Sequence, residues 1–166
     1  MIVWKAVKPV KLREDVFRLE FLSMIHKAER EIRKEFVKTT EGFEHEVVFE
    51  SLISLVGGPS VVVDTNDQIY RWLNDGTPPH DIPAGDGGFL TFQTGYTSKT
   101  VPGSLNTRAG GSFGPKRRAK VVHHTGFEAR NFDSMIEEIF RPRFKRMAEE
   151  AMSNAAKKCG HYIGHA

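Results

Sequence analysis

The sequence predicts a single α+β domain, in which an antiparallel sheet carries two long helices on one face and a long extended hairpin loop. Apolar residues recur at three- and four-residue steps over 11–38 and again beyond Ser134, which is typical of amphipathic helices. Between these segments, short stretches of alternating apolar and polar residues are separated by glycine and proline, which is typical of strands. Their short connections favour antiparallel pairing.

Composition agrees with one globular domain over 1–166. Of the 166 residues, 39% are hydrophobic and 27% are charged, so one sizeable apolar core is expected. No stretch approaches the roughly 18 consecutive apolar residues of a membrane span, so we expect no membrane partner. Cys159 is the single cysteine, which excludes an intrachain disulfide and predicts a reducing compartment such as the cytoplasm.

The first predicted helix covers 11–38. Its charged residues include Glu14 with Arg18 and Glu29 with Arg33, which are i,i+4 pairs that stabilise a helix surface. One apolar face is predicted to pack on the sheet. That face consists of Leu12, Val16, Leu19, Leu22, Ile25, Ala28, Ile32 and Phe36.

A β-hairpin is predicted over 43–64. Residues 43–56 alternate with a period of two, as a half-buried strand does. The sequence Gly57-Gly58-Pro59 predicts the turn, and a short valine-rich strand follows it.

A short helix is predicted over 67–75, with Asp64 or Asn66 as its N-terminal cap. Residues 76–88 contain four glycines and three prolines, so they are predicted to form a loop. A strand from Phe89 to Tyr96 is predicted to follow, because Phe89, Leu90, Phe92 and Tyr96 are apolar.

The segment 97–118 is poor in apolar residues and is predicted to be a long basic loop, followed by a strand over 119–124. No acidic residue occurs from 97 to 120. The loop is predicted to contact DNA phosphates or an acidic protein, or to be a solvated spacer. Because little apolar surface would be lost, removal of 104–117 is expected to leave the fold intact. Its cations are Lys99, Arg108, Lys116, Arg117, Arg118 and Lys120.

The second long helix is predicted to begin at Ser134, where Ser134 and Glu137 have the spacing of a capping box. Pro142 is predicted to kink it or split off its first turn. Gly160 is predicted to end it, leaving 160–166 as a flexible tail.

No complete catalytic constellation is present, so we expect no enzyme, no cofactor and no bound metal. A second hypothesis is a small metal-dependent nuclease similar to the HNH nucleases. It would use His123, His124 and Asn131, with His161 and His165 beyond the last helix. A third hypothesis is a basic DNA-binding module built on the loop at 97–120.

The most distinctive segment runs from Tyr70 to Ile82. It resembles the signature of a tail-component family of long-tailed bacteriophages of the siphophage type, in which an acidic residue precedes Gly-Thr-x-Pro-His-x-Ile. The residues that carry this part of the resemblance are Tyr70, Trp72, Gly76, Thr77, Pro78, Pro79 and His80.

A second segment extends the resemblance. Val121 to Gly126 is similar to the family's Val-x-His-Pro-Gly, with Thr125 in place of the proline. Phe127 to Phe132 stands in the place of its Arg-Pro-Phe, with Asn131 in place of that proline. The matching residues in this segment include His123, His124, Gly126 and Phe132.

The resemblance implies a structural virion protein of the tail completion (neck) or tail terminator type. It implies a homo-oligomeric ring, expected to be a hexamer, at the head–tail junction or tail end. The partners implied are neighbouring neck and tail-tube proteins, with DNA or the internal tail protein in the lumen. The implied location is the virion, and the host cytoplasm during assembly.

The backbone of the first motif segment, Tyr70 to Ile82, suits a docking surface. Gly76 permits a left-handed backbone, and Pro78 with Pro79 fixes φ, so the segment has little entropy left to lose on binding. Tyr70 and Trp72 are predicted to be either interface anchors or core aromatics.

Overall fold

The structure, a computed structural model, describes residues 10–161, with three helices and eight strands in that range. The α+β class is confirmed. In chain order the elements are α1 (Glu14–Thr39), β1 (Glu50–Ser54), β2 (Ser60–Asp64), α2 (Gln68–Asp75), β3 (His80–Pro83), β4 (Leu90–Gln93), β5 (Tyr96–Thr97), β6 (Gly111–Ser112), β7 (Lys116–Ala119), β8 (Val121–His124) and α3 (Phe132–Lys158).

The two long helices pack on each other, and α1 also contacts the β1–β2 hairpin. The apolar core lies between α1, α2, α3 and this hairpin. Its aromatic centre is close-packed, with Phe49 and Tyr70 edge to face at 5.2 Å between ring centroids. The buried cluster consists of Phe36, Val47, Phe49, Tyr70, Leu105, Phe132, Ile136 and Phe140. None of the helices within 10–161 has the length and apolarity to cross a membrane.

The prediction of one antiparallel sheet is wrong in its extent. Among the described residues the strands form four separate two-stranded ladders: β1–β2, β3–β8, β4–β7 and β5–β6. The last three are consecutive stretches of one long β-ribbon, whose outgoing chain is 77–99 and whose returning chain is 108–127. Both chains of the ribbon belong to one hairpin, and within 10–161 no third strand joins them.

The β-ribbon occupies the segment predicted as a long loop. Its outgoing chain holds extra residues at 85–89, because Pro83 pairs with Val121 whereas Leu90 pairs with Ala119. The residues 97–118 contain β6 and most of β7 and are therefore partly paired. At its tip Leu105 is only 9% exposed and belongs to the core, so the tip returns to the body of the protein.

The predicted strand over 43–56 begins only at Glu50. The main chain bends at Glu44 and His45, and within 10–161 no main-chain hydrogen bond joins Glu44 to Val47 to another strand. Val47 and Phe49 are nevertheless buried, which accounts for the alternating apolar pattern. The position of this segment is therefore fixed by the packing of these two side chains in the core, and not by strand pairing.

The ends of α2 and α3 differ from their predicted caps. Asp67, and neither Asp64 nor Asn66, caps α2, because its Oδ1 accepts a hydrogen bond from the Tyr70 N–H at 2.7 Å. Burial opposes ionisation of Asp67, yet the bonds from Tyr70 and His45 outweigh it and lower the pKa of this carboxyl.

Helix α3 begins at Phe132, two residues before the predicted start, so the Ser134–Glu137 capping box does not form its end. The helix continues through Pro142. At its C-terminus, Gly160 has φ +82° and donates to Lys157, while His161 donates to the Ala156 carbonyl. These are the two bonds of a Schellman motif, so the predicted glycine stop is confirmed. The predicted tail beyond His161 lies outside the described residues.

Candidate functional site

The two sequence segments that carry the phage-like motifs lie side by side at the base of the β-ribbon. Thr77 and Phe127 exchange two main-chain hydrogen bonds, each of 3.0 Å. From there the β3–β8 ladder begins, with His80 opposite His124 and Asp81 opposite His123. Segments that are more than 40 residues apart in sequence therefore form one continuous surface, which is called the motif ladder below.

Two glycines permit this close approach. Gly76 has φ +78° and ψ 171°, a conformation that is essentially restricted to glycine, and an added Cβ would lie 2.7 Å from the Ala129 nitrogen. Gly126 has φ +74°, and its added Cβ would lie 2.2 Å from the Thr77 carbonyl oxygen. The predicted left-handed conformation of Gly76 is confirmed. Each glycine allows one motif segment to contact the backbone of the other.

The motif ladder is anchored on the core by the junction of α2 and α3. The carbonyl of Asn74, near the C-terminus of α2, accepts hydrogen bonds from the Arg130 and Asn131 N–H groups at 3.1 and 3.0 Å. The Asn74 side-chain oxygen accepts from the Asp133 N–H at 3.2 Å, which caps the first turn of α3. Asn131 itself is left-handed, with φ +53°, and makes no side-chain cap.

Two histidine rings stack on the ladder. The His80 and His124 ring centroids are 5.0 Å apart with an interplanar angle of 30°. His80 Nδ1 lies 2.9 Å from the Pro78 carbonyl oxygen and donates to it. His124 Nδ1 accepts the Gly126 N–H at 3.0 Å. Both rings are thus tied to the turn residues beside them, which gives them a structural part in the ladder.

The third histidine forms an open pair with a carboxylate. His123 Nδ1 lies 2.5 Å from Asp81 Oδ1, and the two side chains are 83% and 61% exposed. A histidine–carboxylate pair is one part of a general-base system. At this exposure water screens the pair, and exposed pairs of this kind contribute about 1 kcal/mol or less to stability.

Arg130 lies within the second motif segment, and the sequence analysis assigned it no role. It is buried, and its Nε donates to Thr100 Oγ1 at 3.2 Å. Its two Nη groups donate to the Glu128 carbonyl and to Ser98 Oγ. Arg130 therefore connects the start of α3 to the tip of the β-ribbon. Its position at the arginine of the family's Arg-Pro-Phe is the sequence signal that could have identified it.

The two aromatic residues of the first motif segment have different surroundings. Tyr70 is buried in the core, so its interpretation as an interface anchor is wrong, and burial raises the pKa of its hydroxyl. Within 10–161 this hydroxyl has no hydrogen-bond partner. Phe132, from the second segment, is also a core residue. Trp72 is 48% exposed, so it remains available as an anchor.

The six cations of the predicted basic loop fall into two groups. Lys99 lies 3.9 Å from Glu44, and Arg108 donates to the Ser98 carbonyl at 2.9 Å, so both are attached near the ribbon tip. The other four are exposed on or beside β7. They are Lys116, Arg117, Arg118 and Lys120.

The residues proposed for a nuclease do not meet in one site. His123 and His124 lie on β8, whereas His161 follows the 27-residue helix α3, which is about 40 Å long. His165 lies outside the described residues. Within the described range, no group of three His, Cys, Asp or Glu side chains is placed to hold a metal ion.

Comparison with protein-family models, with curated protein sequences and with solved structures gives no match to this chain. The fold and site define an α+β protein with a rigid, glycine-dependent strand pair on its surface. The resemblance to the phage tail-component signature rests on the motif residues themselves.

Proposed function

We propose that this protein is a structural subunit of the head–tail junction or tail end of a long-tailed bacteriophage. In this role it forms a homo-oligomeric ring of the tail completion or tail terminator type. The ring is required for tail assembly and for joining heads to tails.

The observation that supports the proposal is the motif ladder. The two short segments that resemble the phage signature are neighbours in space, and each needs a glycine from its own segment to contact the other. Both resemblances therefore belong to one surface. If each were a chance similarity, there would be no reason for the two segments to lie side by side. Beside it, Pro78 and Pro79 are exposed and conformationally restricted, which suits docking in one geometry.

The proposal is tested in the phage that encodes the protein. Immunogold labelling of purified particles should place the chain at the neck or the tail end. A mutant phage with a stop codon in this gene should produce DNA-filled heads and tails that are not joined. Tails of normal length would indicate a completion ring. Tails of uncontrolled length would indicate a terminator, because a terminator ends polymerisation of the tube.

Normal infectious particles from the stop-codon mutant would refute the proposal, as would labelling confined to the host cell with none on particles. A complementation control, in which the intact gene is supplied in trans, should restore infectious particles.

A second candidate function is favoured by one observation, the chemistry of the β-ribbon. From Gly87 to Phe127 the chain has six cations and no acid, and Phe89, Tyr96 and Phe113 are exposed among them. Cations for phosphates and aromatic rings for stacking are the components of a single-stranded nucleic-acid surface. Binding of oligonucleotides that weakens steeply as salt rises would support this candidate.

A further inference from the structure

The outward face of the β1–β2 hairpin is apolar and acidic. Leu52 and Val62 are cross-strand partners and both are exposed, with Leu52 at 68%. Glu50 and Asp64 are the next pair on the same face, because alternate residues of a strand point to the same side. Just before β1, Glu46 and Val48 are also exposed. This surface, called the acidic face, consists of Glu46, Val48, Glu50, Leu52, Val62 and Asp64.

The middle of the β-ribbon presents the opposite charge. Phe92 and Arg117 are cross-strand partners on one side of the β4–β7 ladder, and both are exposed. Arg118 lies over the Phe89 ring at 4.7 Å. Phe113 is 73% exposed. Lys116 and Arg118 lie on the other side of this ladder, because successive residues of a strand point to opposite sides. The ribbon is therefore basic on both of its sides, and this two-sided surface, called the basic face, consists of Phe89, Phe92, Phe113, Lys116, Arg117 and Arg118.

Four of the charges on the two faces have no partner among the described residues, whereas Asp64 pairs with Arg71 and Arg118 lies over Phe89. Glu46, Glu50, Lys116 and Arg117 make no side-chain hydrogen bond or ion pair with any residue in 10–161. Solvent-facing apolar patches of this kind, rimmed by polar groups, mark interaction sites. Here two such patches with opposite charge lie on different elements of one chain.

We infer that the acidic face of one copy binds the basic face of the next copy. The inference rests on the proposed homo-oligomeric ring and identifies the surfaces through which the ring closes. The two faces are different, so the contact is heterologous: every copy uses both, and repetition closes a ring if the rotation allows. A second copy is the occupant that the chain itself supplies, because each face provides the apolar area and the countercharge that the other needs.

Charge reversal tests the contact. The variant Glu46→Lys with Glu50→Lys reverses the acidic face, and the variant Lys116→Glu with Arg117→Glu reverses the basic face. Each should weaken self-association at least about tenfold, because like charges then meet across the interface. Mass is measured by sedimentation over a range of concentrations. Neither double variant breaks an ion pair seen within 10–161, so thermal melts should remain close to those of the wild type.

The decisive measurements combine the two changes. A fourfold variant carrying both reversals should associate again. An equimolar mixture of the two double variants should also associate, because each supplies the face that the other has lost, and should give only assemblies with alternating subunits. The matched control for the basic-face reversal is Lys27→Glu with Arg30→Glu on the exposed side of α1, which changes the net charge by the same amount, breaks no ion pair seen within 10–161 and should associate like the wild type.

Three results would overturn the inference. The first is self-association that is unchanged in both double variants, which would place the ring contact elsewhere and leave the proposed function standing. The second is a wild-type protein that stays monomeric at every concentration. The third is a monomer that binds single-stranded oligonucleotides and loses that binding in Lys116→Glu with Arg117→Glu, which would make the basic face a nucleic-acid surface.

Discussion

Gly76 and Gly126 have positive φ angles at the two places where the motif segments contact each other's backbone. In both cases the space that a side chain would need is filled by main-chain atoms, which cannot rotate away as a flexible side chain does. The surface at the base of the ribbon therefore depends on the lack of a side chain at two positions. This dependence distinguishes them from the glycines in open turns.

Replacement of Gly126 by alanine should destabilise the protein by more than about 2 kcal/mol, because left-handed strain adds to the clash with the Thr77 carbonyl. The matched control is Gly87→Ala. Gly87 has a similar φ of +71° with nothing near its added Cβ, so this change should cost about 1 kcal/mol. Urea unfolding measures both. Equal losses in the two variants would show that strain alone matters and that the close approach does not.

Tyr70→Phe should raise stability by about 1 kcal/mol, because it removes a buried hydroxyl with no partner among the described residues. Burial raises the pKa of Tyr70, so the hydroxyl ionises more readily in the unfolded state. Stability of the wild type therefore falls as pH rises above the ordinary pKa of 10.0, because the unfolded state releases this proton while the folded state retains it. The variant should therefore lose less stability than the wild type between pH 9 and about 11.

The measurement is the urea midpoint at each pH, with Tyr96→Phe as the exposed control that should change nothing. A loss of stability in Tyr70→Phe at neutral pH would show that the hydroxyl has a partner that stabilises the fold.

At the scale of elements, the β-ribbon is attached to the body at both ends. Its base joins α2 and α3 through the motif ladder, and its tip returns to the core through Leu105 and through the bonds from Arg130 to Thr100 and Ser98. Within 10–161, no hydrogen bond or ion pair joins the middle of the ribbon, β4–β7, to a helix. A ribbon held in this way keeps its exposed cations in a defined position.

The attachment of the tip overturns the expectation that residues 104–117 are dispensable for folding. Leu105→Ala should cost about 2 kcal/mol, the lower end of the range for a buried leucine, because the residue lies at the edge of the core. Removal of 104–117 should cost more, since it also deletes β6, and with it the whole ladder to β5, together with the first two residues of β7. Thermal and urea melts measure both losses.

Val56→Ala is the matched control for Leu105→Ala, because Val56 is 91% exposed and should change stability by less than about 0.5 kcal/mol. A deletion variant that melts like the wild type would restore the interpretation of the segment as an independent loop.

At the scale of the whole molecule, the acidic face and the basic face lie on separate elements, as the proposed contact between two copies requires. The pair of His123 and Asp81 is open to solvent. Water would therefore compete with a substrate for hydrogen bonds to this pair. The candidate metal ligands of a nuclease lie at opposite ends of α3. The proposed assembly role uses the exposed surfaces instead.

Purified protein should not cleave linear or circular DNA in the presence of Mg²⁺ or Mn²⁺, because the residues proposed for such a reaction do not meet in one site. Gel electrophoresis after prolonged incubation measures this. The matched control is His124→Ala, prepared in the same way. Cleavage by the wild type that disappears in the variant would establish the nuclease and contradict the structural role.

Much of the architecture follows from sequence patterns alone. Helical periodicity located α1 and α3, alternation with a Gly-Gly-Pro turn located the β1–β2 hairpin, and Gly160 marked the end of α3. These features depend on neighbours within a few residues of each other, so local pattern contains the information. The pairing of the two motif segments was not predicted, although both segments were singled out.

Tertiary structure decided the rest, for reasons of distance and packing. The N-terminal cap of α3 comes from Asn74, far away in sequence, so no local pattern reveals it. Residues 43–49 alternate like a strand because Val47 and Phe49 are buried, and burial produces that pattern with or without a pairing partner. The ribbon forms where local propensity predicted a loop, because glycine, threonine and arginine pair when the opposite chain is held beside them. Whether a backbone hydrogen bond forms depends on which distant segment lies alongside, and that is settled only by the folded chain.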